Sequence, residues 1–440
     1  MFNSILYSIG ILSCINICVA QPPARGIAEI EKALSENKVA QAETELQTLT
    51  NSYYTQGNAD SLVNYIFYVA KVEHVKSGAD DGVKKLGLFI DKIKTLSPGP
   101  ATLRQAYIEA GEYYGFAGKN RLAYKANLEA YKYTLLLPGK TPDQLGLVEN
   151  NLSTYAQRMG DLNLSQYHGR RALQNFLSDP KPNYEGLYIA YNGMGSTMWY
   201  GSKTDSALYY FNKALQTLEK TDPTPLNQFY RPAIVRNNLS ALYGIEGKTT
   251  EAIGAMKMCI NDLKSFLATK EPHPKKGTAI TFQMEATDNL AGIYKELGDL
   301  KQTKELLEYS YRQKQQHLGE DDPAIFISQI LLGQLYFAMK DFDKSLQYLN
   351  SGLTRISKAD GDYLFWQADA CNTLALLYNA KHDNQQAAFY YEKADSLYEE
   401  SLQGDYDNIY LEFLTNAACS MLKITSLKLP LQKQKRDTTT

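Results

Sequence analysis

Residues Ala286–Ser310 have the sequence ATDNLAGIYKELGDLKQTKELLEYS, and this stretch decides the fold. Large and small residues alternate in it at the spacing of a helix face that packs against another helix. Gly298-Asp299 interrupts the pattern. Glycine readily takes the left-handed conformation that ends a helix, and aspartate caps the helix that follows. The stretch therefore predicts two helices joined by a tight turn.

The same pattern recurs along the chain at a nearly constant period. With Leu290 as the anchor, equivalent positions are separated by 42, 42, 45, 51, 42 and 42 residues. A small residue follows almost every anchor, and five of the seven copies carry an aromatic residue four positions beyond it. The anchors are Ala110, Leu152, Met194, Leu239, Leu290, Leu332 and Leu374. The second helices repeat a small residue at Ala123, Ser165, Ala207, Ala252, Thr303, Ser345 and Ala387. Seven copies predict a helical solenoid, in which each repeat packs on its neighbours.

These residues resemble the tetratricopeptide repeat (TPR) family, whose signature places large, small and aromatic residues across a helix–turn–helix. The period of about 42 residues resembles the extended repeats of kinesin light chains and of many bacterial TPR proteins. Arg312–Ile325 resembles the connector of that subgroup. The opening Trp of the signature is missing, and Met198 stands at one aromatic position. The resemblance covers roughly residues 27–420. It implies an all-α fold, a right-handed α-solenoid of about nine TPR-like helix-turn-helix pairs with a C-terminal capping helix.

The pattern divides the chain into segments. Residues 21–425 are predicted to form the solenoid, with weak capping repeats over 27–96, clearer repeats over 103–400 and a capping helix over 409–424. Residues 426–440 are rich in Lys and Thr and predict a disordered tail. Long connectors around 221–232 and 269–279 account for the spacings of 45 and 51, and we interpret them as surface insertions.

The first twenty residues differ from the rest of the chain. Phe2 to Ala20 is free of charge, rich in Ile, Leu, Val and Cys, and ends in a small-x-small sequence. This predicts a secretory signal peptide cleaved between Ala20 and Gln21, and hence an exported protein, periplasmic or secreted. Two alternatives stay open. The apolar run is near the length of an uncleaved membrane anchor, and Cys14 lies in a loose lipoprotein box.

Composition and motifs argue against an enzyme. The net charge of −2 provides no basic excess for nucleic acid or an anionic membrane. The five histidines are isolated, no cysteine pair has zinc spacing, and Gly247-Lys248-Thr249 lacks the other features of a phosphate loop. We therefore predict no catalytic residue, cofactor or metal site. The 33 tyrosines suit a binding surface, because tyrosine covers apolar area and keeps a hydroxyl for a ligand. The alternative for any single tyrosine is packing in the core.

Amide side chains recur just before the anchors. The TPR resemblance implies that first helices line a concave groove and that these residues point into it. Asparagine both donates and accepts hydrogen bonds, so a ladder of asparagines can bind the backbone of an extended peptide. The alternative is that they cap or bridge neighbouring helices. The amide candidates are Asn150, Asn151, Asn192, Asn237, Asn238, Asn289 and Asn372, and Trp199, Arg236 and Lys295 are candidates for selectivity.

The sequence thus predicts an exported, non-enzymatic TPR scaffold that binds a protein or an extended peptide in its groove. One alternative is a sensor or adaptor of a bacterial signalling or protease system that acts with a separate effector. The other is a glycan-binding lipoprotein of an uptake system, which would present Trp199 and Trp366 as platforms.

Overall fold

A computed structural model describes residues 26–270, 272–359, 361, 363–402 and 413–414. The predicted signal peptide, its cleavage site at Ala20 and Gln21, Cys14 and the predicted tail lie outside the described residues, as does the predicted capping helix except for residues 413–414. The chain divides into two compact units, the N-terminal unit ending at Pro223 and the C-terminal unit beginning at Thr224. The two units are described separately.

The N-terminal unit consists of consecutive α-helices. They are α1 (Ile27–Ser35), α2 (Val39–Thr55), α3 (Ala59–Leu62), α4 (Ile66–Ser77), α5 (Ala79–Lys94), α6 (Pro100–Phe116), α7 (Asn120–Leu135), α8 (Pro142–Arg158), α9 (Leu162–Ser178), α10 (Tyr184–Tyr200) and α11 (Thr204–Leu218). A short 3-10 segment, Val63–Tyr65, joins α3 to α4.

The C-terminal unit has the same construction. Its helices are α12 (Arg231–Ile245), α13 (Thr249–Ala268), α14 (Lys276–Glu296), α15 (Leu300–His317), α16 (Pro323–Ala338), α17 (Phe342–Ile356), α18 (Leu364–Ala380) and α19 (Asn384–Leu402). Throughout the described ranges every regular element is helical, which confirms the all-α prediction. None of these helices combines the length and the apolar character needed to cross a membrane.

Each unit is a series of packed helix pairs, such as α6 with α7 and α14 with α15. In every clear repeat the anchor of the first helix is buried, and the small residue of the second helix has no exposed surface. Because the residue after each anchor is also small, the backbones of the two helices can approach closely. The predicted packing face is therefore present in all seven copies.

A hydrogen bond recurs where the small residues of a pair meet. Ser153 Oγ donates to the carbonyl oxygen of Ser165 at 2.8 Å, and Ser240 Oγ donates to that of Ala252 at 2.8 Å. In another repeat the donor is on the second helix, where Ser345 Oγ donates to Gly333 O at 2.7 Å. A hydroxyl in this dry contact is satisfied by the facing backbone, so it does not carry the cost of a buried unpaired polar group.

The turn between the two helices of a pair has the left-handed residue and the helix cap that the sequence predicts. Gly298 has a φ of 77°, and the Asp299 carboxylate accepts a hydrogen bond from the backbone N–H of Gln302 at 3.0 Å. Lys340 occupies the equivalent position with a φ of 62°. A non-glycine residue in this conformation costs about 1–2 kcal/mol, so the geometry is imposed there by the packing of the pair.

The repeat spacings of 45 and 51 residues do not come from loop insertions alone. The sequence predicts surface insertions at residues 221–232 and 269–279, but part of each segment is helical. Leu226–Tyr230 forms a π-helical turn that runs into α12, and α14 already begins at Lys276. The helices α13 and α14 have 20 and 21 residues, longer than the other helices of the repeats. The extra residues therefore lengthen helices as well as connectors.

The close approach of helices predicts a size limit at Gly333. A Cβ atom added there would lie 2.5 Å from Leu349 Cγ and 3.1 Å from its backbone nitrogen, whereas one added at Gly254 would meet no atom within 4 Å. We expect Gly333→Ala to lower the free energy of unfolding by about 1–3 kcal/mol through overpacking. Gly254→Ala, the control, should raise it by about 0.5–1 kcal/mol, because glycine inside a helix is unfavourable. Urea denaturation followed by circular dichroism measures both, and equal midpoints for the two variants would contradict this packing.

Candidate functional site

The asparagine candidates of the N-terminal unit lie mostly inside the protein. Asn150 and Asn192 are buried on α8 and α10. Asn151 is half-buried, and its Nδ2 donates to Asn127 Oδ1 on α7 at 3.1 Å. Trp199 is half-buried near the end of α10, followed by the exposed Tyr200. The Asn151 contact is of the helix-bridging kind, and Trp199 and Tyr200 retain surface for a ligand.

The asparagine candidates of the C-terminal unit are arranged in a similar way. Asn237, Asn238 and Asn289 are buried, and Asn237 Nδ2 donates to Asn238 Oδ1 at 3.4 Å. Asn372 is half-buried, and its Oδ1 is enclosed without a hydrogen-bond partner.

An open ladder of amides, as the sequence suggests, is therefore not what the structure shows. The side chains of Asn150, Asn192, Asn237, Asn238 and Asn289 are enclosed, because a residue just before the anchor is turned towards a neighbouring helix rather than towards solvent. Contact between the asparagines and a ligand stays a prediction.

The polar side chains of three successive first helices in the C-terminal unit are joined by hydrogen bonds. Lys295 Nζ on α14 donates to Gln334 Oε1 on α16 at 2.9 Å. Gln334 Nε2 in turn donates to the Asp369 carboxylate on α18. Lys295 and Asp369 are half-buried, and Gln334 is 8% exposed. We call these three residues the polar line.

The ends of the polar line are poorly hydrated although water can reach them. Desolvation lowers the pKa of Lys295 and raises the pKa of Asp369. Desolvation also raises the pKa of Glu285, one of the exposed residues of α14. A charged group that keeps accessible surface but loses hydration is surrounded by protein on several sides. These residues are therefore partly enclosed by protein atoms although they keep accessible surface.

Two ion pairs tie first helices to the second helices that follow them. Arg236 on α12 pairs with Asp262 on α13, and this contact uses the guanidinium that the sequence assigns to ligand selectivity. Lys314 on α15 pairs with Asp288 on α14, and its Nζ also donates to Ser328 Oγ on α16 at 2.8 Å. The Lys314 side chain is 2% exposed, so its charge is available to the packing rather than to a ligand.

A charged network around the buried Glu149 lies in the N-terminal unit, and no sequence motif marks it. Glu149 Oε2 is 2.6 Å from His168 Nδ1, and Glu149 Oε1 is 2.6 Å from Arg171 Nε. The hydroxyl of Tyr124 is 2.9 Å from His168 Nε2. These residues belong to α7, α8 and α9, so the network holds two helix pairs together. Breaking a buried ion pair by removing one partner is strongly destabilising, which gives this network a structural role.

The first helix α6 carries a carboxylate with an unusual pKa. Glu109 accepts a hydrogen bond from Gln105 Nε2 at 2.8 Å. Desolvation, together with the negative charge of Glu112, raises the pKa of Glu109 to about 8. Within the part of the chain that the structure describes, no group of three His, Cys, Asp or Glu residues is placed to hold a metal ion.

These features define the class of the protein, a fold of consecutive α-helical repeats. Residues 283–358 match the family model of the tetratricopeptide repeat. That part of the chain therefore contains tetratricopeptide repeats, as the resemblance indicates. No curated protein matches the whole chain or a part of it.

Several solved structures have a similar fold. The apo form of RapI superposes with a TM-score of 0.55 at 13% identity, over 88% of this chain and 100% of that chain. The apo form of the quorum sensor NprR from B. thuringiensis gives 0.54 at 13% identity, over 84% and 97%. A signal-transduction ATPase with a tetratricopeptide repeat sensor, from Pyrococcus horikoshii, gives 0.55 at 14% identity, over 85% of this chain and 54% of that one. At these identities the likeness concerns the fold alone.

The raised pKa of Glu109 predicts a dependence of stability on pH. Its ordinary pKa is 4.5, so between about pH 4.5 and 8 the unfolded chain loses a proton that the folded chain keeps. The free energy of unfolding therefore falls as the pH rises through this range. We expect Glu109→Gln to raise the free energy of unfolding at pH 8 on the order of 2 kcal/mol, and to have little effect at pH 4.5.

Urea denaturation of Glu109→Gln at the two pH values measures this difference. The control is Glu400→Gln, which removes an exposed carboxylate from α19. A gain that is the same at both pH values would show that the effect of Glu109→Gln does not come from its ionisation.

Proposed function

We propose that this tetratricopeptide-repeat scaffold binds an extended peptide segment of a partner protein along the first-helix face of its C-terminal unit. The polar line carries the proposal. It places donors and acceptors from three successive first helices in one row, and it does so where charged groups are accessible but poorly hydrated.

The spacing of such a row suits an extended chain. Packed helices lie about 8–10 Å apart, and three residues of an extended peptide span about 10 Å. Side chains on successive first helices can therefore each meet the peptide backbone about once in every three residues. Regular contacts to the backbone bind a peptide in one direction without selecting all of its side chains.

The polar line has groups of opposite kind at its two ends. The Lys295 ammonium has three N–H donors, and Gln334 accepts one of them. The Asp369 carboxylate and the unpartnered Oδ1 of Asn372 supply acceptors at the other end. Peptide carbonyls would bind towards Lys295 and peptide N–H groups towards Asp369. Where groups are poorly hydrated, such hydrogen bonds are stronger than at an open surface.

The other predicted residues divide into two groups in this proposal. The enclosed asparagines and Arg236 support the first helices, because their side chains are engaged or shielded. In the N-terminal unit, Asn151 and Trp199 remain the candidates for peptide contact. The glycan alternative has less support, because both Trp199 and Trp366 are half-buried instead of exposed as flat platforms.

A selection from a displayed random-peptide library tests the peptide site. Selected peptides, labelled with fluorescein, should bind the native chain with a measurable change in fluorescence anisotropy. We expect the double variant Lys295→Met with Asp369→Asn to weaken this binding by at least about tenfold, since a lost charge-assisted hydrogen bond is worth about 1.5–3 kcal/mol.

The matched control is Lys301→Met with Asp395→Asn, which removes the same two charges from the second helices α15 and α19. Circular dichroism first confirms that both variants are folded. Equal affinity of the native chain and the Lys295/Asp369 variant for every selected peptide would exclude the polar line as the binding site.

We also propose that the chain is exported, on the basis of the apolar, uncharged segment Phe2–Ala20 and the small residues that end it. Expression of the full chain in a bacterial host, followed by fractionation and intact-mass measurement, tests this. The expected product is an envelope or secreted protein that starts at Gln21. A full-length product in the membrane fraction would favour an anchor, and a diacylglyceryl group on Cys14 would favour a lipoprotein.

A further inference from the structure

The second helices of the N-terminal unit differ sharply in charge from the first helices beside them. Helices α7, α9 and α11 carry six basic residues and two acidic ones, Glu129 and Asp205, a net charge of +4. Helices α6, α8 and α10 carry two basic residues and five acidic ones, a net charge of −3. The whole chain has a net charge of −2, so this basic surface is a local feature. The six basic residues are Arg121, Lys125, Lys132, Arg170, Arg171 and Lys213.

These cations are largely available to a partner. Arg121, Lys125 and Arg170 are exposed, and α9 contains no acidic residue that could neutralise Arg170. Lys132 is exposed and pairs with Glu129 on its own helix, an exposed ion pair of little energetic weight. Charges of one sign on a surface raise the local concentration and the association rate of a partner of the opposite sign.

Exposed tyrosines lie beside the cations. Tyr167 on α9 is 52% exposed and Tyr209 on α11 is 56% exposed. They are 42 residues apart, so they occupy equivalent positions in successive repeats. One turn further along each helix is a cation, Arg171 at 5.4 Å from the Tyr167 ring centroid and Lys213 at 5.8 Å from the Tyr209 ring centroid. The same tyrosine–cation pair is thus presented twice on one side of the unit.

The pair on α9 is held in place before any partner binds. Arg171 donates from one Nη atom to the Tyr167 hydroxyl and from the other to the Tyr131 hydroxyl on α7, both at 2.7 Å. Its Nε is fixed by the buried Glu149 carboxylate at 2.6 Å. A side chain that is already ordered loses little conformational entropy on binding. Tyrosine and arginine are also the residue types that most often supply binding energy at protein interfaces.

We infer that the second-helix surface of α7, α9 and α11 is a docking surface for an acidic segment of a protein. Carboxylates of the segment would pair with Arg170, Lys125 and Lys213, and its apolar groups would pack on Tyr167 and Tyr209. This docking surface lies on second helices of the N-terminal unit, whereas the proposed peptide site lies on first helices of the C-terminal unit. Each of the two sites is therefore tested without the other.

Fluorescence anisotropy with the full chain tests this inference at low salt. The probe is a fluorescein-labelled peptide of alternating glutamate and glycine, compared with a peptide of alternating lysine and glycine. We expect the glutamate peptide to bind at least about tenfold more tightly, and the difference to shrink as salt is added, because exposed charges are screened.

Charge reversal locates the binding surface. The triple variant Lys125→Glu, Arg170→Glu and Lys213→Glu should weaken binding of the glutamate peptide by at least about tenfold. The control triple variant is Lys264→Glu, Lys301→Glu and Arg312→Glu, which makes the same change of net charge at exposed positions of α13 and α15. It should keep most of the affinity. Equal losses in the two triple variants would show only a response to total charge and would overturn the inference.

Two further results bear on the inference. Tyr209→Ala, at a position that is 56% exposed, should weaken binding of the glutamate peptide several-fold. Unchanged binding would show that the tyrosines do not contact the peptide. Vesicles of phosphatidylcholine with phosphatidylserine and a DNA duplex are tested beside the peptide. Tighter binding of either one than of the glutamate peptide would show that the partner is not an acidic protein segment.

If the triple variant is unfolded by circular dichroism, Arg170→Gln alone replaces it, with an expected loss of about threefold.

Discussion

The close approach of two helices at fully buried small residues is the constraint on which the rest of the structure depends. In all seven clear repeats the small residue of the second helix has no exposed surface, and the anchor of the first helix is buried. A Cβ atom has no room at Gly333, where Leu349 is already in contact. Since each pair is fixed in this way, the first helices of successive repeats are held in register. That register allows side chains 35 to 39 residues apart to meet in the polar line.

Charge within the protein has two distinct uses. Pairs that connect a first helix to a second, such as Arg236 with Asp262, are engaged in packing. Groups such as Lys295 and Asp369 bridge first helices, keep accessible surface and are poorly hydrated. A buried charge without a partner is costly, so pairs such as Arg236 with Asp262 are stable only while both partners are present. Lys295 and Asp369, which keep accessible surface, can exchange one hydrogen bond for another. A binding surface requires this property.

The sequence predicts the fold well because the fold is set by a local pattern that is repeated. The anchors, the buried small residues and the turn at Gly298-Asp299 are all confirmed, and each depends only on residue size or backbone conformation. The candidate site is predicted less well. The polar line joins residues of three different repeats, and no motif within one repeat reveals such contacts. A usable signal exists for the ion pairs, because Arg236 and Asp262, like Asp288 and Lys314, are 26 residues apart. The burial of the asparagines depends on how each helix is rotated, which the repeat pattern gives only approximately.

The hydroxyl–carbonyl hydrogen bond between the small residues of a helix pair bears on how the sequences of the repeats can diverge. The donor is on the first helix at Ser153 and Ser240, and on the second helix at Ser345. Because either helix can supply the hydroxyl, a serine lost from one side can be replaced by one gained on the other while the contact persists. Copies of the repeat can therefore drift apart in sequence after gene duplication and still stack on one another. The contact therefore requires small residues on both sides, whereas the helix that supplies the hydroxyl can change.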